Sequence, residues 1–490
     1  MNNPIVLGIG ISKYKCDGVL RFEHFCKLYG LEYKIVGDGQ IWRGGDMAAG
    51  PGGGQKINQL LDELEQMDNR LVIVCDTFDL YPVAGVDEIM HKFNLLHKPN
   101  SVIFAAEVYC WPDKSLASDY PVVEHKYKYL NSGSIMGYSD DIYKLINNAN
   151  INDWDDDQLF FTNKFLSNNN ETNNNETNNN EIKIILDYKC ELFQALNGVT
   201  ADVVLVPQKN RLYNKYTNTY PIFIHGNGPA KTRLNYFENY LSSMQNNLLI
   251  NKLVSNKLVS GTEPKVFIAL YIDSSNYDQM IIFLNHINFL KYNSNCVIHL
   301  YDRHCKDDTL VKQYLTNFSD SDSDSDSDSN SNSNSNSDIA YYPNVIGYHF
   351  DHFIKSDCEY YFLVEQSCII TNAYLLQNLI KLCDANHRII CPLMVNQNNQ
   401  CFTNFWGALD RNEYYERSPD YLDLVNRVYC GLWNVPYVSG TILICRSIIM
   451  YTDLTANPEN LDYDMVLCKN FRKNTMFMYM SNFENYGYLY

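Results

Sequence analysis

Short apolar runs alternate with helix-like stretches along both halves of this 490-residue chain, and that alternation limits the possible folds more than any other feature. In the first half Ile5–Ile11, Leu71–Cys75, Val102–Ala106 and Tyr220–Ile224 read as strands, with Arg21–Tyr29 and Gln55–Met67 as helices between them. In the second half Val266–Ile272, Cys296–Tyr301, Tyr360–Val364 and Thr441–Cys445 read as strands. Such alternation predicts α/β domains on parallel sheets. Ligands of these sheets sit beyond the carboxyl ends of the strands, so the residues after each strand are where function is sought.

The length exceeds one ordinary domain, and a hydrophobic content of 46% supplies a sizeable core. Two tracts cannot bury apolar surface and are expected to be flexible loops. Ser167–Glu181 reads SNNNETNNNETNNNE, and Ser319–Asp338 alternates Ser with Asp and then with Asn. NKLVS occurs twice over Asn251–Ser260, which marks a linker. The reading is a first domain over 1–245, a linker over 246–264 and a second domain over 265–490. A net charge of −18 argues against a general nucleic-acid binder. No run of about 18 apolar residues occurs, so no transmembrane helix is expected. Met1 is not followed by the basic and small-residue pattern of a secretory signal, and the 15 cysteines form no CxxC pair. Those two features lead to the expectation of reduced thiols, no structural zinc and a cytoplasmic location.

Leu71–Cys75 runs into Asp76-Thr77-Phe78-Asp79. Two carboxylates three residues apart at a strand end can converge on one divalent cation, while a turn with an Asp cap fits the local sequence equally well. Tyr220–Ile224 runs into His225-Gly226-Asn227-Gly228-Pro229, where the imidazole can join a metal or be structural. Carboxylates with one imidazole suit manganese, with magnesium and zinc as alternatives. Trp42-Arg43-Gly44-Gly45-Asp46 leads on to Gly52-Gly53-Gly54-Gln55-Lys56, glycines that let a backbone approach a ligand and offer N–H groups to phosphate. The missing GK[ST] excludes a Walker loop. Glu107 and Trp111 follow a third strand and suit a sugar pocket, although a core Trp with a solvated Glu fits too. Asp155-Asp156-Asp157-Gln158 opens a helix-like run with more acid than capping requires.

At these residues the chain resembles the amino-terminal two thirds of the multifunctional procollagen lysyl hydroxylases, the part that carries collagen glucosyltransferase activity. The motifs are WRGGD, GGGQK, CDTFD, AEVYCWP, LNSGSIMG, DDDQLFFT, FQALNG and HGNGPAK in the first half, then TNFWGAL, RSPDY, LWNVPY and CKNFR, in that order. The resemblance implies two tandem Rossmann-like (GT-A-type) glycosyltransferase domains, the first catalytic and the second accessory. It implies Mn²⁺ on Asp76, Asp79 and His225, with uracil stacked on Phe78, where the family usually has Tyr. Trp42, Gly53 and Gly54 would cover the donor UDP-glucose, Gly228 would lie beside it, and Lys56 or Lys231 would meet its phosphates. Glu107, Trp111, Asp156, Asp157, Gln158 and Asn227 would form the sugar and acceptor side. The implied reaction is retaining transfer of glucose to galactosyl-hydroxylysine of collagen or a collagen-like protein. The alternatives are a hydroxylysine galactosyltransferase using UDP-galactose and a non-catalytic collagen-binding adaptor. The match ends at Tyr490 without a hydroxylase domain, so no lysyl hydroxylation is expected. Leu363–Ser367 lacks the Asp-rich strand end usual in the family, so no second metal site is expected. Partners on this reading are the UDP-sugar and a collagen-like acceptor, without nucleic acid or a membrane span and with room for a homodimer.

Overall fold

The computed structural model describes residues 3–46, 50–148, 150–170, 181–199, 201–241, 264–292, 295–305, 308–320, 339–410, 412–449 and 461–490. The chain divides into two compact units, Met1–Leu241 and Ser242–Tyr490. The tract after Asn170, the tract after Asp320 and the NKLVS duplication lie outside the described residues. Among the described residues no helix is long and apolar enough to cross a membrane.

The first unit runs β1 (Ile5–Ser12), α1 (Asp17–Leu28), β2 (Glu32–Asp38), α2 (Gly54–Glu65), β3 (Leu71–Asp76), β4 (Leu80–Pro82), α3 (Val86–Leu96), β5 (Ser101–Glu107), β6 (Tyr129–Tyr138), α4 (Ser139–Ile146), α5 (Asp157–Asn170), β7 (Lys183–Asp187), β8 (Phe193–Ala195), β9 (Val203–Val206), β10 (Arg211–Asn214), β11 (Phe223–His225) and α6 (Lys231–Leu241). Six strands form the main sheet in the order β2-β1-β3-β6-β5-β7. β1 is parallel to β2 and β3, and β5 is parallel to β7. β6 runs antiparallel to both β3 and β5, so the sheet is mixed rather than parallel. Between β5 and β6 the chain forms only the 3₁₀ turn Lys114–Ser118, and without a crossover helix a returning strand pairs antiparallel.

The apolar strands are covered on both faces. Val6, Ile73 and Cys75 pack with Phe22 and Cys26 of α1 and with Ile89 and Phe93 of α3. Their strand neighbours Leu7, Ile9, Val72 and Val74 pack with Ile57 and Leu60 of α2, Ile142 of α4 and Phe161 of α5. Truncating any of these large side chains to Ala costs about 2–5 kcal/mol. α5 reaches Asn170, so it takes in the first four residues of the tract expected to be irregular from Ser167, because a formed helix propagates through residues too weak to start one.

The strand expected at Tyr220–Ile224 is Phe223–His225, and it lies outside the main sheet. β11 pairs antiparallel with β4 and parallel with β8, placing His225 opposite both Leu80 and Ala195. β3 ends at Asp76 and β4 begins at Leu80, so the segment Asp76–Asp79 bridges the two sheets.

The second unit has an eight-stranded sheet in the order Ala340–Tyr342, Cys296–Asp302, Val266–Ile272, Tyr360–Glu365, Thr441–Cys445, Ile389–Pro392, Met478–Ser481, Leu432–Val435. It contains all four strands read from the sequence. It too is mixed, since Thr441–Cys445 runs antiparallel to both of its neighbours. At the end of Tyr360–Glu365, Glu365 Oε1 accepts from Arg303 at 2.6 Å and from the Tyr348 hydroxyl at 2.7 Å. The same hydroxyl also lies within hydrogen-bond reach of Asp464.

Candidate active site

The bridge between the sheets explains how two nearby acids meet a distant imidazole. Thr77 anchors the bridge, its hydroxyl donating to Ile9 O at 2.9 Å. Glycines on β1 leave room for it: a Cβ on Gly8 would lie 2.6 Å from Thr77 Cγ2, and one on Gly10 would lie 2.9 Å from its Oγ1. Gly226, just past β11, donates its N–H to Asp79 O at 2.8 Å. His225 Nε2 then lies 3.3 Å from Asp79 Oδ1 and 3.9 Å from Asp76 Oδ2. One ligand atom from each of Asp76, Asp79 and His225 falls within 4.8 Å of the others.

Two lysines flank this group. Lys56, on the first turn of α2, donates to both Asp76 oxygens at 2.8 and 3.0 Å and lies 3.7 Å from Asp157 Oδ2. Lys231, at the start of α6, lies 3.4 Å from Asp79 Oδ2 with its side chain 55% exposed. Burial alone would raise the Asp79 carboxyl, but Lys231, His225 and Lys56 hold it well below the usual range. Burial depresses His225 and Lys56, and the carboxylates around each reverse that and raise both.

A buried amide network forms the other side. Glu107 is 3% exposed. Its Oε1 accepts from Asn131 at 3.0 Å and Gln158 at 2.9 Å, and its Oε2 accepts from Asn227 at 3.0 Å. Burial pushes its carboxyl up, and these three hydrogen bonds oppose the rise. Gln158 also donates to Trp111 O at 3.2 Å and accepts from Ser132 N at 3.2 Å. Asn227 accepts from Asn197 N at 3.0 Å, and Gly228 after it adopts a left-handed φ of 58°. The Trp111 side chain stands at the surface, 47% exposed.

The acid run divides its labour. Asp156 caps α5, accepting from Leu159 N at 2.7 Å. Asp157 points into the site, where Ser132 Oγ donates to its Oδ2 at 3.0 Å. Burial raises the Asp157 carboxyl and Lys56 opposes that. The glycines at the start of α2 serve close packing rather than an open anion cradle. A Cβ on Gly53 would lie 2.3 Å from Asp157 Oδ1, and one on Gly54 would lie 2.0 Å from Asn152 O. Their N–H groups are already bonded to Gly44 O and Asp155 O. Trp42 is half-buried, with its Nε1 donating to Gly45 O at 2.6 Å. Phe78 is half-buried on the bridge, its carbonyl held by Arg21 at 3.3 Å.

Three residues of the site were not singled out from sequence, although LNSGSIMG contains them. β6 carries Ser132, Gly133 and Ser134 as a bulge between Asn131, opposite Ala105, and Ile135, opposite Phe104. The bulge brings Asn131, Ser132 and Gly133 to the site. A Cβ on Gly133 would lie 2.3 Å from His225 Cε1, so only glycine lets the ring sit there.

The donor set suits a hard divalent cation: carboxylate oxygens with one imidazole nitrogen. Three candidate ligand groups face one another within the span of a coordination sphere.

Residues 2–248 match the family described as PLOD GT domain, and residues 263–490 match the glycosyltransferase family 25 N-terminal domain. The uncharacterized protein R699 of Acanthamoeba polyphaga mimivirus is 46% identical, over 100% of this chain and 98% of that protein. Procollagen-lysine,2-oxoglutarate 5-dioxygenase 2 of Mus musculus is 33% identical over 99% of this chain, and the match spans 65% of that protein. The multifunctional procollagen lysine hydroxylase and glycosyltransferase LH3 of Homo sapiens is 31% identical over 100% of this chain and 65% of its own length. This chain thus covers just under two thirds of each of these two procollagen-modifying relatives.

Proposed function

The chain belongs to the family of the PLOD glycosyltransferase domain, the glycosyltransferase part of the procollagen lysyl hydroxylases, and from that premise we propose that it is a Mn²⁺-dependent retaining glucosyltransferase that moves glucose from UDP-glucose to galactosyl-hydroxylysine in collagen-like chains. The observation that carries the reading is the convergence of Asp76, Asp79 and His225 within 4.8 Å beside two lysines.

A divalent cation, when bound, supplies Lewis-acid stabilisation of the charge that gathers on the diphosphate as the glycosidic bond breaks. Asp76 and Asp79 would hold it through oxygen and His225 through Nε2. Lys231 has an exposed, flexible stem that can turn its ammonium from Asp79 to the diphosphate. Lys56 adds fixed positive charge at the base of the site. The Phe78 ring offers a face to uracil, a contact worth roughly 1–3 kcal/mol without the hydroxyl of a Tyr. The diphosphate leaves without needing a proton, so the paired acids of glycoside hydrolases have no counterpart here. Of the three candidate acids, Asp157 is favoured to face the sugar carbon or the incoming hydroxyl. Glu107 has both oxygens occupied by amides, and Asp156 caps a helix. Trp111 would meet the acceptor sugar with its exposed ring.

The test is a donor and acceptor screen read by mass spectrometry, with UDP-glucose and UDP-galactose against hydroxylysyl and galactosyl-hydroxylysyl peptides, with and without Mn²⁺. Addition of one hexose from UDP-glucose to the galactosylated peptide is expected, and Asp76→Ala should abolish it. Addition from UDP-galactose to the bare hydroxylysine would replace the acceptor assignment. Unchanged turnover of Asp76→Ala would overturn the cation site.

A further inference from the structure

Asn131 stands between the cation side and the sugar side, and its side chain is 4% exposed. Nδ2 donates to Glu107 Oε1 at 3.0 Å and to Gln158 Oε1 at 3.3 Å. Neither partner can become a donor at that atom. Glu107 offers a carboxylate oxygen, and the amide nitrogen of Gln158 is already given to Glu107 and Trp111 O. The Asn131 amide therefore has one orientation, with Oδ1 on the far side. There Oδ1 accepts from Gly133 N at 3.2 Å and lies 3.2 Å from His225 Nδ1. An amide oxygen only accepts, so Nδ1 carries the proton. In the neutral ring the lone pair then belongs to Nε2, the nitrogen that faces Asp79 at 3.3 Å and Asp76 at 3.9 Å. A lone pair set among carboxylate oxygens is a ligand arrangement.

We infer that Asn131 is a positioning residue: it holds His225 in the Nδ1-protonated form, so that Nε2 is presented as a ligand, and its own amide nitrogen ties that form to Glu107 and Gln158. The inference rests on the reading of Asp76, Asp79 and His225 as a cation site. It makes Asn227, Glu107, Asn131 and His225 one hydrogen-bonded chain, so that the sugar side and the cation side are set together.

The experiment is Mn²⁺ binding to the full chain, followed by electron paramagnetic resonance of the free ion, with no donor or acceptor present. Asn131→Ala should weaken binding about 10- to 100-fold, the usual effect of removing the partner behind a metal-ligating His. Asn131→Asp keeps an acceptor for Nδ1 but gives up the donor to Glu107 and Gln158. It should bind Mn²⁺ at least as tightly as wild type while UDP-glucose turnover falls. A merely structural role would move both variants alike, and it would move their melting rather than part their metal binding from turnover. Asp76→Ala is the reference that has lost a ligand. If Asp76→Ala loses Mn²⁺ and Asn131→Ala binds like wild type, the role of Asn131 is overturned and the cation site stands. If Asp76→Ala binds like wild type, both are overturned. Should Asn131→Ala not fold, Asn131→Asp decides alone: weakened Mn²⁺ binding, or full turnover, overturns the inference.

Discussion

Replacing Gly133 by alanine places a methyl group where the imidazole of His225 lies. The new Cβ would stand 2.3 Å from Cε1, 2.8 Å from Nδ1 and 3.1 Å from Asp76 Oδ2. Carbon–carbon contacts settle near 3.5 Å, so the ring must retreat by about 1.2 Å. It has little room to do so, since the side chain is 6% exposed and its backbone is paired on both sides, with β4 and β8. Metal–ligand distances tolerate roughly 0.2 Å. Gly133→Ala should therefore weaken Mn²⁺ binding by at least ~10-fold, with an overpacking cost of about 1–3 kcal/mol in stability. Isothermal titration with Mn²⁺ measures the first and thermal unfolding the second. Gly137→Ala on the same strand is the control, because its nearest contact, Val102 Cγ2 at 3.1 Å, is an aliphatic group away from the ligands. Wild-type Mn²⁺ affinity in Gly133→Ala, together with wild-type melting, would refute the reasoning.

Lys56→Met leaves Asp76 and Asp157 facing each other without their shared cation. Breaking such a partly buried pair should cost about 3 kcal/mol. Added Mn²⁺ should raise the melting temperature more in this variant than in wild type, and equal shifts in differential scanning fluorimetry would contradict the assignment of Lys56. In the second unit, burial and the neighbouring Glu365 push the Asp464 carboxyl up to about 8. A folded-state value raised above the unfolded one stabilises fully below the unfolded pKa and is lost as pH rises through the folded value. Wild-type stability should then decline from about pH 4 to pH 8, whereas Asp464→Asn, which mimics the protonated acid, should show a flatter profile. Thermal melts across that range check this, and parallel curves would count against it.

The strands were legible because a run such as Leu71–Cys75 has no other good use in an α/β domain, and the strand-end rule then exposed Asp76 and Asp79. The reversal of β6 was not legible, since strand direction depends on the connection rather than on the strand. His225 was visible as a candidate, but what brings it to Asp79 is the three-residue strand β11 paired with β4, too short to leave a periodic signal. Glu107 was read as an acid reaching for sugar hydroxyls, and it is instead turned inward to Asn131, Gln158 and Asn227. Those partners lie 24, 51 and 120 residues away in sequence, so no local pattern could reveal them. Asn131-Ser132-Gly133 reads locally as a turn. Only its pairing against β5 makes it a bulge aimed at the site.

α5 runs from the candidate site to the start of the Asn-rich repeat. Its first turn carries Asp157 and Gln158, and its last residue, Asn170, opens the Asn-Glu-Thr repeat. Fourteen residues at 1.5 Å apiece set those ends about 21 Å apart. The chain re-enters at β7, an edge strand of the main sheet. A change in the number of repeat units would therefore enter the chain a full helix length away from Asp157 and Gln158.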